Sequence, residues 1–290
     1  MGRINANTES GGKTCLRIPY LNYLNKPGKS IIIFCIANCL NIGKIRKNRN
    51  IGEILVFMGN TSLCIVLRAS NYKESDKMLT LFSREWGRID ALARGCRKSS
   101  SPLLSSTDVL CCAEFGFHIK EGRYYVTQAV PKTNFYDIRK NMNALMTALL
   151  LLEVCEKSVM PAEPNGRLFA LLAGTLFALA NGDEPKKALI FFVYKMLDIL
   201  GLRPMLDRCA ICGRKPVAKL NIAAGGVVCG NCEGEEVPVE YIERIEMILK
   251  TASKDICNTQ MVYDNRFYAM AIRWLKSALD FEPRTLALLK

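Results

Sequence analysis

Four cysteines, Cys209, Cys212, Cys229 and Cys232, stand in the pattern Cys-x2-Cys-x16-Cys-x2-Cys within residues 208–234. Two residues between thiols let one tight turn aim both sulfurs at one ion, and two such turns complete a tetrahedron. Gly213 and Gly230 follow the second and third cysteines, where the backbone must turn closely. The spacing therefore fits a structural zinc ribbon, with one Zn2+ held by all four thiolates. Such a site has no open position for water, so it serves folding and not catalysis. Metal binding supplies on the order of 10 kcal/mol of apparent folding energy to a segment with little core of its own. Free thiols, disulfides or another metal are the alternatives that spacing leaves open. Arg208, Arg214, Lys215 and Lys219 make the loop basic, which suits a nucleic-acid finger, although no recognition helix adjoins it.

The chain has thirteen cysteines in all. The other nine are scattered, mostly in apolar runs, and their odd number offers no disulfide framework. That distribution suits reduced, buried thiols in a cytosol. The apolar run SIIIFCIANCL, residues 30–40, is too short to span a bilayer and has no cleavage-like sequel. No later segment reaches a membrane-spanning length without a charge, so no membrane partner is expected.

The formal charge is +13, and its distribution is uneven. Residues 1–57 carry nine Lys/Arg against two acids, residues 58–135 eleven against seven, and the remainder twenty against eighteen. A basic excess attracts nucleic acid or an anionic surface. Residues 1–57 show no sustained period of two or 3.6. They read as a disordered basic arm or, the favoured reading, as a mis-annotated extension ahead of a true start at Met58.

From residue 63 onward the pattern is strand-like. Short β-branched or alternating runs, LCIVLRA, DKMLTLFS and RIDALARG, are separated by polar turns. DVLCCAEFGFHIK, a Glu-Gly turn and RYYVTQAV then read as a hairpin. About five short strands over some 70 residues suggest a small barrel or sandwich. After Asn134 the period becomes helical. DIRKNMNALMTALLLLEVCEKSV, GRLFALLAGTLFALANG and EPKKALIFFVYKMLDILG form three helices, and PVEYIERIEMILK and RFYAMAIRWLKSALD follow the cysteine loop. The expected organisation is α+β: a β domain over 58–135, then a helical domain over 136–290 that contains the zinc loop, 205–235.

The segments IVLR, YKESDKMLTLFSREWGRI and ALARGCRK, in this order and spacing, resemble the amino-terminal region of the RecO family of DNA repair and recombination mediators. YKMLDILGLRPMLDRCAICG and the paired cysteines are similar to that family's helical half. The resemblance covers roughly residues 60–250. It implies an oligonucleotide-binding (OB) barrel followed by helices, and binding of single- and double-stranded DNA. It further implies annealing of complementary strands and loading of recombinase onto DNA coated by single-strand-binding protein, with RecR as a partner. A bacterial cytoplasmic location at the nucleoid follows from the same resemblance. Some family members lack the zinc cysteines.

An OB face binds strands through a basic groove and exposed rings. The expected DNA contacts are Arg68, Tyr72, Lys73, Arg88, Arg94, Arg97 and Lys98, with Tyr124 and Tyr125 as further candidate rings. Arg88 and Arg94 share a strand face if alternation is regular, because six is an even offset. Trp86 and one of the two tyrosines are expected to pack in the core or in a turn. Glu74 and Asp76 are expected to cap a turn. His118 is the only histidine, and no paired-carboxylate motif, nucleophile elbow or phosphate loop is present. A non-enzymatic DNA-binding mediator is therefore the leading reading. The alternative is a zinc-stabilised nucleic-acid-binding or transcription-regulating scaffold.

Overall fold

In a computed structural model of the chain, the structure describes residues 60–252 and 261–289. The expected extension over 1–57 lies outside the described residues.

Five strands form a closed barrel: β1 (Thr61–Tyr72), β2 (Asp76–Ser83), β3 (Gly87–Ala93), β4 (Cys112–Lys120) and β5 (Arg123–Thr133), in the order β1-β2-β3-β5-β4. All pairings are antiparallel except β3 with β5. This is an OB-like arrangement. β4 and β5 are joined by Glu121 and Gly122, both at positive φ (51° and 73°), as a two-residue mirror-image turn requires. The run DVLCCAEFGFHIK predicts a strand from residue 108. The strand starts at Cys112 because Leu110 adopts a left-handed backbone, φ 72°, which turns the chain before it can pair.

The apolar runs of β1 and β2 have two destinations. Cys64, Val66, Leu79 and Leu81 fill the barrel with Ile89, Phe115, Phe117 and Val126. Ile65, Leu67 and Phe82 belong instead to the core that the barrel shares with the helices. A strand covered on both faces has no polar side to present, which explains why neither run alternates cleanly. Phe82 meets Phe169 edge to face, with ring centroids 5.4 Å apart.

The helical part holds α1 (Met142–Ser158), α2 (Gly166–Ala180), α3 (Pro185–Ile199), α4 (Val239–Lys250) and α5 (Asn265–Ala278). The single helix expected over 137–159 is two elements. A 3-10 turn, Tyr136–Lys140, comes first, and α1 then starts afresh because the Asn141 side chain accepts from the N–H groups of Asn143 and Ala144. Asn165 and Asp264 cap α2 and α5 in the same way, and Pro185 opens α3. α3 is the centre of this part: every residue from Ala188 to Leu197 is buried. Its one buried cation, Lys195, donates through Nζ to the carbonyl oxygen of Leu249 at 2.7 Å, at the electronegative end of α4. Burial holds the Lys195 ammonium below its ordinary range.

The scattered cysteines that are described, Cys64, Cys96, Cys111, Cys112 and Cys155, are free and buried. Burial pushes the Cys111 thiol up to about 11 and Cys112 to about 12, which keeps them protonated and unreactive. No helix among the described residues is long and apolar enough to cross a membrane.

Candidate metal centre and nucleic-acid interface

Between α3 and α4 the chain forms a three-stranded sheet ordered β7-β6-β8, from β6 (Lys219–Asn221), β7 (Gly226–Val228) and β8 (Glu235–Glu236). These strands are two or three residues long, too short to leave a period-two signal in the sequence. The sheet brings the cysteine pairs together. Cys209 N–H donates to the Arg214 carbonyl oxygen at 2.8 Å and Gly213 N–H to that of Cys209 at 2.9 Å, closing the first knuckle with Gly213 at φ 74°. Cys232 N–H donates to the Cys229 carbonyl oxygen at 3.1 Å in the second. Gly226 is required by close approach. A Cβ there would lie 2.3 Å from the carbonyl oxygen of Met205, which pairs with β7.

All four sulfurs lie within 4.8 Å of one another. Cys212 Sγ is 3.5 Å from Cys229 Sγ and 3.7 Å from Cys232 Sγ. A tetrahedron with metal–sulfur bonds of about 2.3 Å has sulfur–sulfur edges of about 3.8 Å, whereas a disulfide needs about 2.0 Å. The four thiols are free, and the cluster is geometrically suited to one structural Zn2+. Burial works against a thiolate at Cys209, but N–H groups of Cys212, Cys229 and Ile211 outweigh it and bring that thiol down to about 6. Cys232 is pushed up to about 12 by its hydrogen-bonded neighbours Cys229 and Cys212. Bringing all four sulfurs to the thiolate state at this spacing therefore takes a bound cation. Zinc bound here would supply no reaction chemistry, only a fixed geometry for the loop. Glu235 carries that geometry to α5, pairing with Arg266 at 3.3 Å and Arg273 at 2.5 Å.

The expected DNA contacts fall into two groups. Tyr72, Lys73, Arg94, Arg97 and Lys98 gather where the β1–β2 hairpin meets the loop after β3. The Arg97 N–H donates to the Ser75 carbonyl oxygen at 3.0 Å, and its Nη1 to those of Lys73 and Glu74 at 3.3 and 2.8 Å. Asp76 ties the same turn down, accepting from Gly95 N–H at 2.8 Å and from the Ser75 hydroxyl at 3.3 Å. Lys73 lies over the exposed ring of Tyr72, with Nζ 5.7 Å from its centroid. The guanidinium of Arg94 covers the Tyr125 ring at 4.9 Å, and His118 flanks that ring at 6.4 Å across the β4–β5 pair. Trp86 and Tyr124 pack against the barrel core instead.

Arg68 and Arg88 form the second group, and α1 engages both. Arg68 Nε pairs with the Glu156 carboxylate at 3.1 Å, and Arg88 Nη1 donates to the Glu156 carbonyl oxygen at 2.7 Å. Arg88 does alternate in phase with Arg94, since Ile89, Ala91 and Ala93 point inward between them. The face they share is covered by the helices at one end and open at the other. The sequence could not show this, because Glu156 lies 68 residues beyond Arg88.

Residues 58–135 match the family model "Recombination protein O N terminal", and residues 139–245 match "Recombination protein O C terminal". The chain is 30% identical over 197 residues to the DNA repair protein RecO of Caldicellulosiruptor saccharolyticus, an alignment covering 66% of this chain and 81% of that one. It is 34% identical over 176 residues to the RecO of Moorella thermoacetica, covering 59% and 66% of the two chains. With the RecO of Desulfitobacterium hafniense it shares 33% identity over 172 residues, covering 58% and 63%. Two consecutive family models, a closed five-stranded barrel ahead of the helices and a four-cysteine cluster between the helices agree: the chain belongs to the RecO family of DNA repair and recombination proteins.

Proposed function

We propose that the chain is a non-enzymatic mediator of DNA repair and homologous recombination, and that it binds DNA at the open end of its barrel. The observation that carries this reading is Arg94 stacked on Tyr125 at 4.9 Å, with exposed Lys98 in the same loop and Arg97 of that loop bonded to the Lys73 carbonyl oxygen. A ring with a cation on it stacks a base and takes the neighbouring phosphate together, without reading sequence. Tyr72, Lys73, Arg94, Arg97, Lys98 and Tyr125 are the proposed contacts. Arg97 also keeps the hairpin in place. Arg68 and Arg88 are assigned to docking the barrel on α1. Duplex DNA would engage the same cations through phosphates alone. Family membership supports the rest of the reading: annealing of complementary strands, loading of recombinase onto DNA coated by single-strand-binding protein, RecR as partner, and work in the bacterial cytoplasm on the nucleoid.

The test is a fluorescence titration with labelled single-stranded DNA over a salt series. Each phosphate contact on a single strand releases about 0.7 counterion, so affinity should fall steeply with salt. In a variant carrying Arg94→Glu and Lys98→Glu, affinity should fall at least about tenfold and the salt slope should become shallower. Unchanged affinity and slope in a folded variant would rule out this end of the barrel.

A further inference from the structure

The four-cysteine loop carries a second basic surface that its structural role does not use. Residues 208–219 hold four bases and no acid. Lys219 is committed: its Nζ donates to the Cys232 carbonyl oxygen at 2.9 Å. Arg208, Arg214 and Lys215 are exposed, and among the described residues none of the three forms an ion pair or a side-chain hydrogen bond. Nearby arginines differ: Arg203 pairs with Asp198 at 3.1 Å, and Arg266 and Arg273 share Glu235.

A tetrathiolate metal centre is a dianion, so loop cations could serve only to balance it. The hydrogen-bond geometry is against that role. The donor to Cys209 Sγ is the main-chain N–H of Cys212, at 3.5 Å, and no side chain of the three cations reaches a sulfur. Exposed Ile211 and Val217 stand among these cations, 53% and 47% accessible. Cations interleaved with apolar side chains on a rigid knuckle match the alternation of phosphate and sugar or base along a strand. The frame is fixed by β6–β8 and the cysteine cluster, so little side-chain order has to be created on binding.

We infer that the exposed tip of the four-cysteine loop is a second contact for single-stranded nucleic acid, with Arg208, Arg214 and Lys215 taking phosphates and Ile211 and Val217 lying against the strand. This rests on the barrel being the first contact. The loop is anchored to α5 through Glu235, whereas the barrel docks on α1 and α2 through Arg88 and Phe82. Two basic surfaces carried on different helices give one chain the means to hold two strands at once.

The experiment uses the zinc-loaded full chain and two non-complementary dT oligonucleotides, one with a donor and one with an acceptor dye. The native chain should bring both together and give energy transfer. Arg208→Ala, Arg214→Ala and Lys215→Ala combined should leave affinity for one dT strand within about twofold, yet lower energy transfer at least about tenfold, as expected for loss of two to three phosphate contacts. Zinc content is measured on the same samples. If the triple variant loses zinc, Arg214→Gln with Lys215→Gln is read in the same assay, where backbone contacts to Cys209 are untouched. Native-level energy transfer in a zinc-loaded variant would overturn the inference and reduce these cations to counter-charges of the metal centre, with the barrel reading intact. A loop variant that behaves as expected, beside an Arg94→Glu, Lys98→Glu variant with native single-strand affinity, would overturn the barrel reading instead.

Discussion

Arg88 of β3 donates through Nη1 to the main-chain carbonyl oxygen of Glu156, 2.7 Å away in the last turn of α1. The final carbonyls of a helix have no helical partner, so a guanidinium there satisfies one of them and meets the negative end of the helix dipole. Arg68 of β1 takes the carboxylate of the same residue. One position of α1 thus gathers two strands of the barrel. Gly87, next to Arg88, sits at φ 70°, where a Cβ would fall 2.3 Å from the Glu163 carbonyl oxygen.

Removing either feature should loosen the joint. Arg88→Ala leaves a helix-end carbonyl without its donor and should lower stability by about 1–2 kcal/mol. Gly87→Ala should cost more, about 2 kcal/mol or above, because strain at positive φ adds to a backbone clash. Urea unfolding midpoints measure both. Affinity of Arg88→Ala for single-stranded DNA should stay within about twofold, since its guanidinium faces the helix. A larger loss would return Arg88 to the DNA-binding face.

One zinc ion per chain is expected at Cys209, Cys212, Cys229 and Cys232, measurable by elemental analysis of protein prepared without chelator. Serine at any of the four should release it, because three thiolates leave the tetrahedron open. The consequence should reach α5 through Glu235 and its two arginines. Trp274 lies buried on that helix and offers a fluorescence readout. Zinc removal with no change at Trp274 would show that the loop and α5 are not coupled.

Glu153 of α1 should make stability fall in acid. Its carboxylate accepts from Arg284 N–H at 2.9 Å, from Thr285 N–H at 3.0 Å and from the Thr285 hydroxyl at 2.5 Å, which pins the 3-10 turn Arg284–Leu288. Burial alone would raise its pKa, but the Thr285 and Arg284 hydrogen bonds outweigh burial and hold it below the ordinary 4.5. A depressed carboxylate stabilises the fold fully above its unfolded value, and that contribution is lost as pH falls from 4.5 through the folded value. Glu153→Gln should therefore lower the urea midpoint near neutrality and flatten its decline below that pH. Parallel curves for the two proteins would remove Glu153 from the account.

The parts of this fold legible in sequence are those set by local chemistry. DKMLTLFS became β2 over the same eight residues, and the Glu-Gly turn joined β4 to β5. The paired cysteines converged because each knuckle is encoded within four residues. Long-range pairing was not legible. Arg94 meets Tyr125 only because β3 pairs in parallel with β5 across the barrel seam. Arg88 was indistinguishable from Arg94 until α1 covered one and left the other open.

That seam supplies the sharpest test of how DNA is held. Tyr125 lies between Arg94 and His118 on the outward side of β5, while neighbouring Tyr124 packs inward against Trp86 and Phe117. If Tyr125 stacks a base, Tyr125→Ala should weaken single-strand binding by about 1–3 kcal/mol, and Tyr125→Phe, which keeps the ring, should bind nearly as the native chain does. Neither substitution changes charge, so both should keep the native salt slope. Arg94→Gln should do the opposite: a smaller loss at low salt and a slope shallower by about 0.7, one phosphate contact. Tyr124→Ala should instead lower stability, by roughly 1–3 kcal/mol for a half-buried aromatic side chain packed on the edge of the core. Separate responses at positions 94, 124 and 125 would assign cation, core and stacking ring to three adjacent side chains. A Tyr125→Ala variant that binds like the native chain would leave Arg94 as a phosphate contact and remove the stack.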